Sequence, residues 1–286
     1  MTILITAASG QLGGLVVDAI LDRGVAPERV IATARDTAKL SHFSDRGVRT
    51  APLDYDDPAT IAAALDGVES VLLVSSNAVG GRVDGHRNVI TAAKDAGVSK
   101  LVYTSAPNAT TADFVMAPDH KATEEAITSS GVPAVILRNN WYTENYIDTV
   151  RQAAQTSTIV ASAGDGRVAS ASRADFAAAA ATVLIEDGHL GQVYELAGDV
   201  AWNFTELADA ASQLLGREVT YSALSYDEHV QSLQEAGLDD GTANFVAAID
   251  DGIRRGVLAG TDGTLARLIG RPTTPLIEGL RTALER

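Results

Sequence analysis

Cysteine is absent from the 286-residue sequence. Its absence excludes disulfide bonds, thiolate catalysis and zinc sites with cysteine ligands, and it agrees with a reducing compartment. The sequence also lacks any run of 18 or more apolar residues, the length that a membrane-spanning helix needs. The start, Met1 to Thr6, has neither the charged region nor the cleavage site of a signal peptide and is predicted to form a strand. We therefore expect a cytoplasmic protein without a membrane partner.

The sequence has few basic residues for its number of acidic ones. The sequence has 22 lysine and arginine residues against 37 aspartate and glutamate residues, and its formal net charge is −15. Such a surface repels DNA and RNA, so no nucleic-acid partner is expected. An anionic ligand would need a local basic pocket.

Several catalytic signatures are missing as well. No tyrosine stands four residues before a lysine, so the Tyr-x-x-x-Lys pair of typical short-chain dehydrogenases is absent, and so is a Gly-x-Ser-x-Gly nucleophile elbow. Gly80 to Gly85 has P-loop glycine spacing, but His86 and Arg87 stand where lysine and serine or threonine are required. The histidines are widely separated, which favours structural or surface roles and predicts no metal site. They are His42, His86, His120, His189 and His229.

Strand and helix patterns alternate through the first 140 residues. Such alternation predicts right-handed βαβ units and a parallel sheet. We predict an α/β fold with a doubly wound, Rossmann-like sheet, in which residues 1–140 form a dinucleotide-binding core. Asp57 and Pro58 are predicted to begin a helix as N-cap and first helical residue. The predicted strands are Ile3–Thr6, Val30–Ala34, Val48–Leu53, Ser70–Val74, Lys100–Thr104 and Val132–Leu137.

The second half is less regular. Residues 141–286 are predicted to form a smaller, mainly helical mixed α/β lobe that packs on the core as one continuous unit and lies on the substrate side. Ser225 and Glu228 have the spacing of a capping box. The clearest predicted elements are helices at Ala174–Leu184 and Thr205–Leu215 and strands at Gln192–Leu196 and Glu218–Ser222.

A glycine-containing turn joins the first strand to the first helix. At such a turn a dinucleotide pyrophosphate meets free backbone N–H groups at a helix N-terminus. Gly10 would let the backbone approach the phosphate, and Gly13 would let the helix pack closely on the strand. An ordinary tight turn remains the alternative. The predicted contact residues are Thr6, Ala7, Ala8, Ser9, Gly10, Gln11 and Leu12.

Arg35 follows the second predicted strand. NAD-specific folds carry an acidic residue near this place, which accepts the ribose 2′-hydroxyl. An arginine can instead pair with the 2′-phosphate of NADPH, so we expect NADPH to bind more tightly than NADH. Asp36 comes directly after it and complicates this interpretation. A solvated surface arginine is the alternative.

Polar amides and aromatic residues follow the sixth predicted strand, in the segment from Arg138 to Tyr146. Ligands of open α/β sheets bind outside the carboxyl ends of the strands. The segment therefore suits a nicotinamide ring or a flat substrate. The alternative is that its aromatic residues anchor the second lobe.

Taken together, these segments resemble the NmrA-like branch of the atypical short-chain dehydrogenases. Within it the chain is similar to the bacterial NAD(P)H:quinone oxidoreductase type 2 proteins and to triphenylmethane reductase. The resemblance extends over nearly the whole chain. The matching stretches are Ser9–Gly13, Leu72–Ser76, His86–Ile90, Leu137–Asn139 with Trp141 and Tyr142, Ala163–Gly166, Tyr194–Gly198, and Leu268–Gly270 with Pro272–Thr274.

This resemblance implies a cofactor site and leaves catalysis open. The family commonly has glycine where this chain has Ala7, whose extra methyl could push the pyrophosphate outward. Lysine is used near position 121 by related isoflavone-reductase-like enzymes, so Lys121 could line the site or lie on a surface helix. Catalytic candidates are Asn140, Tyr142 and Lys121. The residues implied to hold NADPH, besides the turn and Arg35, are Ser75, Ser76, Asn77, Asn139, Asn140, Trp141 and Tyr142.

The missing Tyr-Lys pair favours a particular class of acceptor. A ketone yields an alkoxide, whose basicity approaches that of hydroxide (the pKa of water is about 15.7) and which needs a general acid. A quinone yields a phenolate-type anion with a pKa of about 10, which can take its proton from water. We therefore predict hydride transfer to a quinone or dye-like acceptor by a monomer or homodimer. The alternative is a redox sensor that binds the dinucleotide and a protein partner without turnover.

Overall fold

The computed structural model describes residues 1–77 and 81–285. Gly80, the first glycine of the P-loop-like spacing, lies outside this range. The strands are β1 Ile3–Ile5, β2 Val30–Ala34, β3 Arg49–Pro52, β4 Ser70–Leu73, β5 Lys100–Ser105, β6 Ala134–Asn139, β7 Thr158–Ala161, β8 Arg167–Val168, β9 Val193–Leu196, β10 Trp202–Asn203 and β11 Thr220–Ala223. The helices are α1 Gln11–Asp22, α2 Ser41–Ser44, α3 Pro58–Ala64, α4 Arg82–Asp95, α5 Ala117–Ser130, α6 Ile147–Thr156, α7 Arg173–Ile185, α8 Phe204–Leu215, α9 Tyr226–Glu235, α10 Asp240–Arg254, α11 Thr264–Ile269 and α12 Leu276–Leu284.

A seven-stranded parallel sheet forms the centre of the fold. Its strand order is β3-β2-β1-β4-β5-β6-β9, so the order reverses between β1 and β4. Helices α1 and α7 pack together, while α3, α4 and α5 supply a second layer of apolar side chains. Strands β1, β2, β4 and β5 are buried throughout, as expected where helices cover both faces of a parallel sheet. The predicted doubly wound α/β fold is confirmed.

Local signals predicted several element ends correctly. Strand β2 has the predicted bounds, Val30–Ala34. The Asp57 carboxylate caps α3 by accepting from the N–H of Ala59, and Pro58 is the first residue of that helix. The predicted capping box of α9 is present between Ser225 and Glu228. Such caps depend on a few neighbouring residues, which is why the sequence alone identifies them.

Two compact units divide the chain differently from the predicted boundary at residues 140 and 141. One unit comprises residues 1–110, 118–139 and 173–195, and the other comprises residues 111–117, 140–172 and 196–286. Helix α7 belongs to the first unit because it packs on α1 and on strands β4 to β6. Strand β9 extends the main sheet beyond β6. The functional assignment of the two parts stays a prediction.

The second unit has its own core, built from helices and short strands. Two small sheets pair β7 with β11 and β8 with β10. Aromatic rings from Tyr146, Trp202 and Phe204 meet edge to face in its core. Within the described residues, no helix has the length and apolar character needed to cross a membrane.

Candidate functional site

The turn after β1 brings strand and helix unusually close. Ala7 has a φ of 49°, in the left-handed region that favours glycine. Its carbonyl oxygen accepts from the N–H of Gly10 at 2.9 Å. A Cβ on Gly13 would lie only 2.5 Å from the same oxygen, and a Cβ on Gly10 would lie 3.2 Å from it. Gly13 is therefore required for the close packing of α1 on the end of β1.

The N-terminus of α1 is suited to an anion. Its N-cap, Gly10, provides no side-chain acceptor, and the first turn contains no acidic residue. Among the described residues, the N–H groups of Ser9, Gln11 and Leu12 form no hydrogen bond with the protein. Ser9, Gly10 and Gln11 are also exposed. Free N–H groups at the positive end of a helix dipole fit the pyrophosphate of a dinucleotide.

Arg35 lies exposed directly after the last residue of β2. Within residues 1–77 and 81–285, its guanidinium forms no ion pair or hydrogen bond. Asp36, by contrast, is engaged, since its carboxylate accepts from the N–H of Ala38 and caps a short 3₁₀ turn. The acidic residue beside Arg35 therefore has a local structural role, and the free cation is the group that fits a 2′-phosphate.

A buried side chain, Thr6, and a half-buried one, Tyr55, hold the end of β4. The N–H of Val74 donates to Thr6 Oγ1 at 2.9 Å, and Tyr55 Oη donates to the Val74 carbonyl at 2.7 Å. Thr6 Oγ1 and Tyr55 Oη are 2.6 Å apart, so the threonine hydroxyl donates to the tyrosine oxygen. Burial raises the pKa of Tyr55, which keeps its proton in place. This cluster ties β1 to β4 where the strand order reverses.

The next two amides are also anchored. The Ser75 N–H donates to Thr104 Oγ1 at 2.9 Å, and the Ser76 N–H donates to His86 Nε2 at 3.2 Å. Ser75 and Ser76 are half-buried and Asn77 is exposed. The implied cofactor residues Ser75 to Asn77 thus begin a loop at the carboxyl edge of the sheet, beside the β1 turn.

A polar cluster that the sequence reasoning missed lies behind this loop. Tyr103 and His120 are buried, with Tyr103 Oη 2.8 Å from His120 Nδ1. Arg82 is buried too and lies 3.3 Å from His120 Nε2 and 3.2 Å from Asp119. Burial and the nearby Arg82 charge lower the pKa of His120 to about 3. The sequence offered Tyr103 and His120 only as separate candidates for replacement beside Lys121, because no local pattern brings the four residues together.

The catalytic candidate Lys121 lies next to this cluster in sequence but outside it. Its side chain is exposed on α5. Tyr103 has no exposed surface, and burial raises its pKa. The exposed position of Lys121 and the complete burial of Tyr103 both make these side chains poorly placed to donate a proton to a bound acceptor. The role of Lys121 stays a prediction.

Arg138 and Asn139 end β6 in the first unit. Arg138 binds Glu124 through two nitrogens, at 2.7 and 3.0 Å, and Glu195 at 2.9 Å. The hydrogen bonds to Glu124 are the main cause of the raised pKa of Arg138. Ser105 Oγ completes the group by donating to Glu124 at 2.6 Å. This charge network fixes the carboxyl end of β6, and Asn139 there is buried.

Asn140, Trp141 and Tyr142 belong to the second unit. Asn140 is buried and uses both ends of its amide: Nδ2 donates to the Leu258 carbonyl at 3.2 Å, and Oδ1 accepts from the Trp141 N–H at 2.7 Å. Trp141 packs partly against the core of this unit. Tyr142 is half-buried and bridges to Ala171. Asn140 therefore has a structural role, and the two rings keep partly accessible surface.

A buried Ser-His-Asp group in the second unit was not predicted. His229 Nδ1 lies 3.0 Å from Ser162 Oγ and 3.2 Å from an Asp250 oxygen, which also accepts the Ser162 N–H at 2.8 Å. In a hydrolase relay, the serine and the carboxylate contact opposite ring nitrogens. Here both face Nδ1, so the group fastens the chain and does not activate a nucleophile.

Comparison with known proteins agrees with this geometry. Residues 7–187 match the model of the NAD(P)H-binding family. Quinone oxidoreductase 2 of Escherichia coli is 44% identical over 278 residues, which is 97% of each chain. The structure of the E. coli NADPH-dependent quinone oxidoreductase complexed with NADPH matches with a TM-score of 0.95 and 43% identity, over 98% of this chain and 99% of that one. Citrobacter sp. triphenylmethane reductase complexed with NADP(H) matches with a TM-score of 0.93 and 37% identity, over 99% and 100%.

These similarities extend over both units and include the turn after β1, where the fold offers free helix N–H groups. They confirm the resemblance stated from the sequence. This chain belongs to the NAD(P)H-binding family, in the branch that contains quinone oxidoreductase 2 and triphenylmethane reductase.

Proposed function

We propose that this protein is an NADPH-dependent oxidoreductase that reduces quinones or similar flat, conjugated acceptors. The observation that carries the proposal is a pyrophosphate-type turn in a chain 44% identical to a quinone oxidoreductase, with Arg35 nearby and unpaired within the described residues. When bound, NADPH supplies the hydride. The turn residues from Thr6 to Leu12, Arg35 and Ser75 to Asn77 would hold it.

The protein's own residues would bind and orient, and need not donate a proton. Tyr103 and His120 are committed to buried hydrogen bonds, and Asn140 is committed to the fold. A hydroquinone anion, with a pKa of about 10, can take its proton from water. Proximity of the bound partners then supplies the rate acceleration. We propose that Trp141 and Tyr142 contact the acceptor through their accessible ring surface.

Steady-state oxidation of NADPH with a panel of quinones and triphenylmethane dyes tests the proposal. Turnover that saturates with at least one acceptor is the expected result. The sensor is the alternative: it would bind NADPH in a titration and oxidise it with none of these acceptors. That outcome would reject the enzyme.

The remaining predictions on setting are part of this proposal. We propose that the protein acts in the cytoplasm, since it lacks cysteine and, in its described part, any helix able to cross a membrane. We propose a monomer or homodimer without a nucleic-acid partner, because the net charge of −15 repels phosphate backbones. Light scattering on the purified protein measures the oligomeric state.

A further inference from the structure

Three consecutive amides at the end of β4 are each bound by a buried side chain from a different element. Thr6 follows β1 and binds Val74, Thr104 lies on β5 and binds Ser75, and His86 lies on α4 and binds Ser76. The first two anchors are hydroxyl groups, one directly after β1 and one on β5, the two strands that neighbour β4. His86 is the third anchor and the one that fixes the point where the loop leaves the sheet.

The hydrogen bonds of His86 determine its tautomer. A backbone N–H can only donate, so Nε2 accepts from Ser76 and carries no hydrogen. Nδ1 therefore carries the hydrogen and donates to Thr123 Oγ1 at 3.0 Å. Thr123 in turn donates to the Asp119 carbonyl at 2.9 Å. Each donor has one acceptor, so the ring has a single satisfied orientation.

The surroundings keep this ring neutral. His86 has no exposed surface, and burial is the main cause that lowers its pKa to about 4. The positive charge of Arg82 acts in the same direction, against a smaller opposite effect of Asp119. Tyr55 and Tyr103 contact the ring edge to face, with centroid distances of 5.8 and 5.6 Å. Nε2 is therefore an acceptor throughout the neutral pH range.

The position of the loop indicates which part of the cofactor it serves. In a doubly wound sheet each half binds one half of the dinucleotide. Arg35 follows β2, in the half that takes the 2′-phosphate and its adenosine. Ser75 to Asn77 follow β4, on the other side of β1, and so would serve the half that carries the nicotinamide ribose and ring.

We infer that His86 is a positioning residue for the nicotinamide half of NADPH. It does not touch the cofactor; its Nε2 holds the Ser76 amide and so sets the direction of the loop Ser75–Asn77. This inference rests on the proposed function only in that NADPH is the ligand. Its test uses binding, so a failure of quinone turnover would leave it separately measurable.

Two amide substitutions separate the two hydrogen bonds of the ring. His86→Gln keeps a polar atom near the Nε2 position and can accept from Ser76. His86→Asn is shorter, keeps a polar atom only near the Nδ1 position, and cannot reach Ser76. Each variant is titrated with NADPH and with adenosine 2′,5′-bisphosphate, which fills only the half served by Arg35. Circular dichroism and thermal unfolding check the fold.

We expect His86→Asn to weaken NADPH binding by about 10-fold, the scale of one lost hydrogen bond. His86→Gln should stay within about 3-fold of the wild type. Adenosine 2′,5′-bisphosphate should bind equally to all three proteins. If His86→Asn does not fold, His86→Leu, which fills the space without an acceptor, takes its place with the same expectation.

Three results would overturn the inference. Equal NADPH affinity in wild type and a folded His86→Asn would show that the loop needs no anchor. Equal losses for both ligands, or a loss in His86→Gln as large as in His86→Asn, would show general damage to the fold. A difference between the two variants that persists when no quinone is reduced would retain the inference and reject the proposed function alone.

Discussion

Ala7 stands where the resemblance to the NmrA-like branch implies a glycine, and its backbone shows the consequence. With a φ of 49°, its backbone has a left-handed conformation, in which the Cβ of an L-residue causes steric strain of about 1–2 kcal/mol. The turn is nevertheless formed, since the Ala7 carbonyl binds the Gly10 N–H. The departure therefore affects local strain more than the shape of the turn.

Replacing Ala7 by glycine should stabilise the protein. The relieved strain exceeds the extra freedom that glycine gains in the unfolded chain, about 0.4–1 kcal/mol, so a net gain of about 0.5–1 kcal/mol is expected. NADPH should bind as well or better. Chemical denaturation and a cofactor titration measure the two effects. Ala8→Gly is the control, because Ala8 is buried without a positive φ and should be destabilised; a destabilised Ala7→Gly would contradict the account.

Arg35 should determine the preference for NADPH over NADH. A charge-assisted hydrogen bond is worth roughly 1.5–3 kcal/mol, or about 10- to 150-fold in affinity. Titration of both cofactors into Arg35→Ala should show the ratio of their affinities falling by that factor. Lys39→Ala, which removes a nearby exposed cation, is the control. An unchanged ratio in Arg35→Ala would make Arg35 an ordinary surface residue.

No single side chain should prove to be an indispensable acid. Lys121→Ala should reduce kcat by less than the roughly 10²–10⁴-fold loss typical of a missing general acid. The rate with a quinone should vary little across neutral pH. A bell-shaped pH profile that collapses in Lys121→Ala would show that a proton donor exists.

Replacing the two ring residues should have a different effect. Trp141→Ala and Tyr142→Ala should mainly raise the KM of the acceptor.

At the scale of elements, the contact of β1 with α1 depends on one missing side chain. A Cβ at Gly13 would meet the Ala7 carbonyl oxygen and the Ala8 Cα, at 2.5 and 3.0 Å, and both are backbone atoms that cannot rotate away. The helix would have to move off the strand. Because Ala7 belongs to the turn proposed to hold the cofactor, we expect packing and binding to be coupled here.

Gly13→Ala should therefore lower both stability and NADPH affinity. Overpacking of a close contact typically costs about 1–3 kcal/mol, and the displaced turn should weaken NADPH binding by at least about 10-fold. Denaturation curves and a cofactor titration measure both. Gly260→Ala is the matched control, since a Cβ there meets no atom within 4 Å. If Gly13→Ala has the same stability and NADPH affinity as this control, α1 can accommodate a Cβ at position 13 and the account is wrong.

The whole molecule should lose stability as the pH falls below neutrality. His86 and His120 have pKa values lowered to about 4 and about 3, against about 6.5 in the unfolded chain. The unfolded state therefore binds more protons between about pH 6.5 and 4, and stability rises with pH through this window and is level above it. At pH 5 the loss should be up to about 2 kcal/mol for each histidine.

Urea denaturation at pH 7.5, 6 and 5 measures this dependence. The double variant His86→Gln with His120→Gln should show a smaller slope over that range. His42→Gln is the control, because His42 is exposed and its replacement should leave the slope unchanged. A slope in the double variant as steep as in the wild type would place the responsible groups elsewhere.

Local patterns in the sequence were enough for much of the fold. The alternation of strands and helices predicted the parallel sheet, because periodicity and capping act over a few residues. The turn after β1 could be predicted for the same reason, since Gly10 and Gly13 lie within one short segment. Arg35 could be proposed as a cofactor residue because it directly follows β2, whose bounds the sequence predicts.

Other features were decided by residues that are far apart in the chain. The sequence left His86 among five scattered histidines, and only the fold brings it to Ser76, Thr123 and the rings of Tyr55 and Tyr103. Strand β9 joins the main sheet beside β6, although about 55 residues separate the two strands. The ion pair of Arg138 with Glu195 likewise joins residues that are 57 positions apart. The sequence made Asn140 a catalytic candidate, but in the fold its side-chain amide donates to the carbonyl of Leu258, 118 residues away. Burial and hydrogen-bond partners over such separations depend on how whole elements pack, so no local pattern encodes them, and only the tertiary structure shows which polar residues hold the fold and which stay free to bind.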